Sequence, residues 1–419
     1  MNLTSKFRQS PLVSNFLSLS IVQGLNFVLP LLTFPYLVRV LGIENFGLIS
    51  FANAYIIYLQ VVTDYGFNLT AVREISIHRD NPQKLIEIFS SVMTIKTVLL
   101  IFSFLLLICT VYLVPKFNLN YKVFIFSFGI VAGQVLYPVW FFQGIEKMKF
   151  ITLLNILSKG IFTIAVFIFV KNTNDILLVP LFNSLGFIVV GSLALFIISR
   201  KYGVKFKFQN VGTLIYYLRS GWYIFISGIS VTLYTASTTF ILGILTNNTY
   251  VGYFSIVQRI VAAVRGMIGP VSQTLFPHLA KLSLVSKEQV MQVNKKILMV
   301  GLVIMIPFSA LIFFFSEPIL NLLFKVDSYN VNIGLKIQAF IPTIMVLHLV
   351  FGMFTIIVFD RNRDYSRIVI SAGIISLFVS TILIILFKDI GASIAILLIE
   401  VYVAIRYILY VQDGDLKYW

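Results

Sequence analysis

VMTIKTVLLIFSFLLLICTVYLV, residues 92–114, carries one charge, Lys96, in an otherwise apolar run. Wound as a helix rising about 1.5 Å per residue, it reaches about 35 Å, enough to cross the roughly 30 Å hydrocarbon core of a bilayer. Residues 151–170 (ITLLNILSKGIFTIAVFIFV) and 368–387 (IVISAGIISLFVSTILIILF) are built alike. The whole chain is 59% hydrophobic and 11% charged, with a mean hydropathy of +0.96, whereas globular domains are roughly a quarter charged. A water-soluble core could not hide that much apolar surface, so these runs read as membrane spans.

Cutting the apolar runs at charged or turn-rich breaks predicts an all-α integral membrane protein of about twelve transmembrane helices. They fall near 13–36, 46–70, 86–114, 122–142, 150–170, 176–199, 217–243, 250–275, 293–316, 332–359, 368–387 and 389–411. Lys6 and Arg8 precede a stretch, Val13 to Val40, with no small-residue cleavage site, which reads as an uncleaved first span. With this topology twenty Lys and Arg fall on the side of the amino terminus and seven on the other. Basic loops stay cytoplasmic, so both termini are expected there.

The largest break is basic and lies near the midpoint. It predicts an amino-terminal six-helix lobe (1–199), a basic cytoplasmic linker (200–216) and a carboxy-terminal six-helix lobe (217–419), arranged around a central cavity. A weak internal repeat supports the division: GLISFAN at 47–53 aligns with GYFSIVQ at 252–258, an offset of 205 residues. An even number of spans per repeat keeps its orientation, so the related halves are expected to share an axis along the membrane normal.

The net charge of +16 does not point to nucleic acid, because the bases are scattered over short loops rather than gathered on one soluble face. Cys109 is the sole cysteine, and His78, His278 and His348 are far apart in sequence, so neither an internal disulfide nor a metal site is expected. No motif calls for a cofactor.

Five bases remain inside expected spans, Lys96, Lys159, Arg259, Arg265 and Arg406, against two acids, Asp64 and Glu400. Each costs about 2.5–3.5 kcal/mol on insertion scales, so each should face a cavity or a partner. Asn53, Gln60 and Asp64 share one face of span 2, and the repeat offset puts Gln258 and Arg265 at the positions of Asn53 and Gln60. Thr152, Asn155, Lys159 and Thr163 form a stripe on span 5, and Gln23, Asn26, Pro30 and Thr33 one on span 1. For Lys96, Arg259 and Arg406 two readings stand side by side, snorkelling to headgroups or lining the cavity, and Glu400 could pair locally. Asp64 is either a counter-ion or a titratable coupling site. His348 has no carboxylate one turn away and reads as a packing hydrogen-bond donor. A cavity richer in bases than acids prefers an anion whose lipid tail stays in the bilayer.

PYLVRVLG at 35–42 with Phe46-Gly47, DYGF at 64–67, and YPVWFFQG at 137–144 with Lys147 together resemble the Wzx-type polysaccharide flippases. The resemblance is strong over the amino-terminal third and rests elsewhere on span number and loop pattern. It implies a member of the multidrug/oligosaccharidyl-lipid/polysaccharide exporter superfamily in a bacterial inner membrane. Such a protein moves undecaprenyl-diphosphate-linked O-antigen or related repeat units to the periplasmic leaflet, works beside a polymerase and a chain-length regulator, and is no enzyme. Family members line their cavity with spans 1, 2, 7 and 8; span 7 has only hydroxyls to offer, such as Ser227, Ser230, Tyr234 and Thr238.

Three other readings are weaker. A polymerase or ligase needs acid or base groups in outer loops, which are short. A multidrug exporter of the same superfamily takes cations and calls for more intramembrane acids than bases. A scaffold of the assembly machinery needs no charges at membrane depth.

Overall fold

The computed structural model describes the backbone of residues 11–413 and the side chains of 29–413 apart from residues 31, 234, 267, 270 and 273. Lys6, Arg8 and Lys417 lie outside the described residues, as do the side chains of Gln23, Asn26 and Tyr234. The described chain is helical almost throughout and contains no strand.

A 54-residue helical stretch, Pro11–Asp64, is broken at Gly42 (φ 81°), which divides it into α1 (11–41) and α2 (43–64). There follow α3 (Phe67–Ile77), α4 (Pro82–Leu113), α5 (Tyr121–Leu136), the short α6 (Val139–Gly144), α7 (Met148–Phe169) and α8 (Leu178–Tyr202). The second half comprises α9 (Val211–Leu245), α10 (Asn248–Leu282), α11 (Lys287–Phe314), α12 (Ser316–Phe324), α13 (Tyr329–Gln338) and α14 (Ile341–Leu347). α14 continues as a π-helix, His348–Ile357. The final 52 residues, Asn362–Asp413, break at Lys388 (φ 52°) into α15 (362–387) and α16 (389–413).

Among the described residues eight helical stretches are long and apolar enough to cross a membrane, nine if the bent Val211–Leu245 is counted. The expected count of about twelve compares with these in a simple way. Asn362–Asp413 alone is about 78 Å of helix, more than twice a bilayer core, and holds two expected spans. α10 is long enough, but its polar residues keep it out of the apolar set. α4 leaves Val98, Ile101, Phe102, Leu105 and Ile108 exposed along its length, a face suited to lipid chains and not to water. The chain is a multi-pass membrane protein.

Two units emerge from the packing: residues up to Thr33 with Ala52–Ile229, and Phe34–Phe51 with Ser230–Trp419. The sequence break at 200–216 is not where the packing divides. α8 ends at Gly203 and the chain runs extended to Asn210, but Val204 and Tyr217 are buried in the core of the first unit beside Trp140 and Phe141. Lys207 also donates its backbone N–H to Ser90 Oγ at 2.9 Å. Val204 within the basic segment and Tyr217 just after it find a core, whereas Phe206, Phe208 and the bases that suggest a linker stay at the surface.

Within the second unit the residues of the sequence repeat meet. A Cβ on Gly47 would collide with the Asn248 carbonyl oxygen and lie 2.6 Å from the Gly252 nitrogen, and one on Gly252 would collide with the Ile43 carbonyl. The matching glycines, 205 residues apart in sequence, allow α2 and α10 to approach backbone to backbone, as small residues do in membrane helix crossings.

Candidate functional site

In the first unit α2, α3, α4, α5, α6, α7 and α8 line a cavity of about 630 Å³. The chain has to break twice to shape it. Tyr65 (φ 50°) and Gly66 (φ 79°) end α2 in the left-handed region, where a side chain at Gly66 would also lie 2.6 Å from Ile224 Cγ2. That break turns Asp64 and Asn68 toward the same space. Pro138 stands in the second break, between α5 and α6, and Gln134 and Gln143 on either side of it line the cavity. α2 contributes Gln60, and α7 contributes Asn155.

Lys96 on α4 meets Asp64 at 3.3 Å, with the lysine side chain 6% and the carboxylate 33% exposed. A lysine this deep is tolerated because its counter-ion sits beside it. Of its two readings, Lys96 lines the cavity, with Asp64 as its counter-ion. Asp64 and Lys96 are the only charged residues lining the cavity among the described residues.

The second unit holds a different cluster. Arg265 on α10 donates to Glu400 Oε1 at 2.6 Å, and His348 Nδ1 lies 3.3 Å from the other carboxylate oxygen. His348 Nε2 also lies 3.0 Å from the Glu400 backbone carbonyl, and its ring stands edge to face with Tyr407. Glu400 is 5% exposed, and its partners are 135 and 52 residues away in sequence. Local pairing of Glu400 is thus replaced by a long-range triad. The carboxylate missing from the turn beside His348 comes from α16. One guanidinium atom, Arg265 Nε, is buried without a hydrogen-bond partner among the described residues. Nearby Gln258 donates to Gln338, which donates to Ser393. The space among Thr238, Gln258, Arg265, Ser376 and Glu400 is about 30 Å³, room for water only.

Asn53, Lys159, Arg259, Arg406 and Ser227 line neither of these two cavities. Asn53 is half-buried on α2 and Lys159 half-buried on α7. Thr163 reaches Thr33 at 3.5 Å. Arg259 lies over the Phe34 ring at 3.8 Å, a cation–π contact inside the second unit. Arg406 is exposed, as a snorkelling residue would be. On α9, Ser227 is spent on the Tyr223 carbonyl and Thr238 on Ser380. Sequence reading missed Asn68, Gln134, Gln143, Gln338 and Ser393 as members of these clusters. Gln143 lay inside the YPVWFFQG block, and that was the signal available.

Residues 12–283, well over half of the chain, match the family described as "Polysaccharide biosynthesis protein". The chain belongs to this family. It is 33% identical over 403 residues to a protein of Escherichia coli (strain K12) named "Putative O-antigen transporter", covering 96% of this chain and 97% of that one. A Shigella dysenteriae protein of the same name is 26% identical, with 93% and 98% covered. Two solved structures share the fold. An inward-facing multidrug resistance MATE family transporter of the MOP superfamily has TM-score 0.73 at 12% identity, covering 94% of this chain and 97% of that one. The lipid II flippase MurJ in an inward closed conformation has TM-score 0.72 at 15% identity, covering 94% and 87%. The resemblance to Wzx-type flippases seen in the three sequence blocks is therefore a family relationship, and the chain is a transporter-type protein rather than an enzyme.

The structure also shows what those blocks do. DYGF carries the α2 break, with Tyr65 stacked on Phe225 at 4.6 Å and Phe67 in the core. YPVWFFQG buries Trp140, Phe141 and Phe142 completely, ties Tyr137 to the Ile151 carbonyl at 3.2 Å and leaves Gln143 at the cavity. Both blocks build the walls of the first-unit cavity.

Proposed function

We propose that the chain flips undecaprenyl-diphosphate-linked oligosaccharide repeat units of O-antigen or a related surface polysaccharide from the cytoplasmic to the periplasmic leaflet by alternating access. The observation that carries this reading is membership of a family of polysaccharide biosynthesis proteins, supported by the bases Arg265, Arg259, Lys159 and Lys96 that the sequence places within its helical spans. Arg265 is the foremost diphosphate partner, joined by Arg259 and Lys159, while the polyprenyl tail stays in lipid. Lys96 takes part by exchanging Asp64, which makes Asp64 the coupling residue of the reading. Gln60, Asn155, Asn53 and Gln258 supply polar contacts. The bias of twenty bases to seven supports cytoplasmic termini in a bacterial inner membrane, where a polymerase and a chain-length regulator would receive the product.

An inside-negative potential favours outward movement of an uncompensated anion by about 2.3 kcal/mol per charge per 100 mV, and bound bases reduce that drive. Coupling through Asp64 would make transport pH-dependent, and Asp64→Asn should abolish that dependence while keeping substrate binding. The reading as a whole is tested by the leaflet distribution of the lipid-linked units in a deletion strain complemented with wild type or Arg265→Ala. Accumulation on the cytoplasmic face, relieved by wild type alone, supports it; normal delivery in the deletion strain rejects flipping and leaves a scaffold.

A further inference from the structure

The first-unit cavity is lined by five side-chain amides, Gln60, Asn68, Gln134, Gln143 and Asn155. None of them makes a side-chain hydrogen bond to another described residue. Elsewhere in the molecule comparable groups find partners: Gln258 donates to Gln338, and Gln338 donates to Ser393. Gln60, Gln134, Gln143 and Asn155 are half-buried and Asn68 is exposed; half-buried amides without protein partners need a ligand or solvent to satisfy them.

Charge narrows the ligand. The cavity's one cation and one anion, Lys96 and Asp64, face each other at 3.3 Å, so with this pair intact it presents no net charge. A phosphate would meet no uncompensated base and a cationic drug no uncompensated acid. A neutral molecule dense in groups that both donate and accept hydrogen bonds would meet five amides, each offering two N–H donors and a carbonyl acceptor. Val61, Val72, Val139 and Phe187 add apolar wall for the C–H faces of such a molecule. The volume of about 630 Å³ lies within the range of about 300–1,000 Å³ typical of small-molecule sites.

We propose that this cavity is a saccharide subsite, holding neutral sugar of the transported unit through Gln134, Gln143, Asn68, Gln60 and Asn155, and that the diphosphate is bound elsewhere. The assignment rests on the flippase reading and divides its substrate, leaving Lys96 on Asp64 and not on phosphate: glycan to the amides of the first unit, diphosphate to Arg265, Arg259 and Lys159 outside this cavity.

The test uses the full chain in lipid nanodiscs and two probes. One is the undecaprenyl-diphosphate-linked glycan extracted from a deletion strain, and the other is undecaprenyl diphosphate. Gln134→Ala and Gln143→Ala should each weaken binding of the glycan-bearing lipid about tenfold and leave undecaprenyl diphosphate unchanged. Gln143→Glu, which keeps the side chain's size, should show the same selective loss with an unchanged melting temperature, separating recognition from folding. Equal loss for both lipids, or no loss for either, overturns the subsite, as does a wild type that binds both lipids equally. Arg265→Ala should weaken both probes. If it weakens neither while the glutamine variants act selectively, the diphosphate assignment falls and the sugar subsite stands.

Discussion

Glutamine does opposite work in the two units. In the second, Gln258, Gln338 and Ser393 form a closed chain of hydrogen bonds, and Arg265, Glu400 and His348 close an ionic triad. In the first, Gln60, Gln134 and Gln143 face a cavity without bonding one another. The contrast separates polarity closed on protein partners, from which Arg265 reaches the proposed diphosphate only by parting from Glu400, from polarity held open for a ligand. Residue type does not distinguish the two; the presence of a partner does. Substitutions in the closed networks should lower stability, and those at the open amides should lower substrate binding alone.

The comparison breaks first at Glu400. Glu400→Ala leaves Arg265 without its buried partner, a change that costs about 3–5 kcal/mol where an ion pair is buried. A marked fall in melting temperature in detergent is expected, with Glu400→Gln milder because a hydrogen bond to Arg265 survives. An unchanged melting curve for Glu400→Ala would show that the triad is not structural.

Asp64 is next. Its carboxylate is a third exposed while Lys96 is buried, so Asp64→Asn should cost about 2–3 kcal/mol by stranding the ammonium group. Adding Lys96→Gln should recover most of that loss. A double-mutant cycle with no coupling energy would deny that the pair is what keeps Lys96 in place.

Gln338→Ala should cost about 1–2 kcal/mol, since it leaves both Gln258 and the wholly buried Ser393 with unmet hydrogen bonds. The smallest expected effect sharpens the comparison most: Gln134→Ala should change stability by no more than about 0.5 kcal/mol. A destabilisation as large as that of Gln338→Ala would mean that the amides of the first unit are structural too.

Much of the fold was legible because a bilayer imposes a length and a composition on each crossing. Residues 92–114 announce a span without reference to any neighbour, and α4 covers them. The repeat was legible at Gly47 and Gly252, although only the packing shows the glycines against each other. At the candidate site the stripe of Gln60 and Asp64 was readable from helical spacing. Gln134, Gln143 and Asn68 were not, because they reach the cavity through breaks at Pro138 and Tyr65–Gly66 that spoil the period.

The sequence alone determined that this is an all-helical membrane protein and marked apolar runs such as 92–114 as its spans. These properties follow from each segment's own free energy of transfer into hydrocarbon. Only the tertiary structure decided that Lys96 belongs to Asp64, that Glu400 serves Arg265 and His348 together, that residues 204–217 pack into the first unit, and which amides remain open. Such pairings join helices tens to more than a hundred residues apart, and periodicity along one helix carries no information about which face of another it meets.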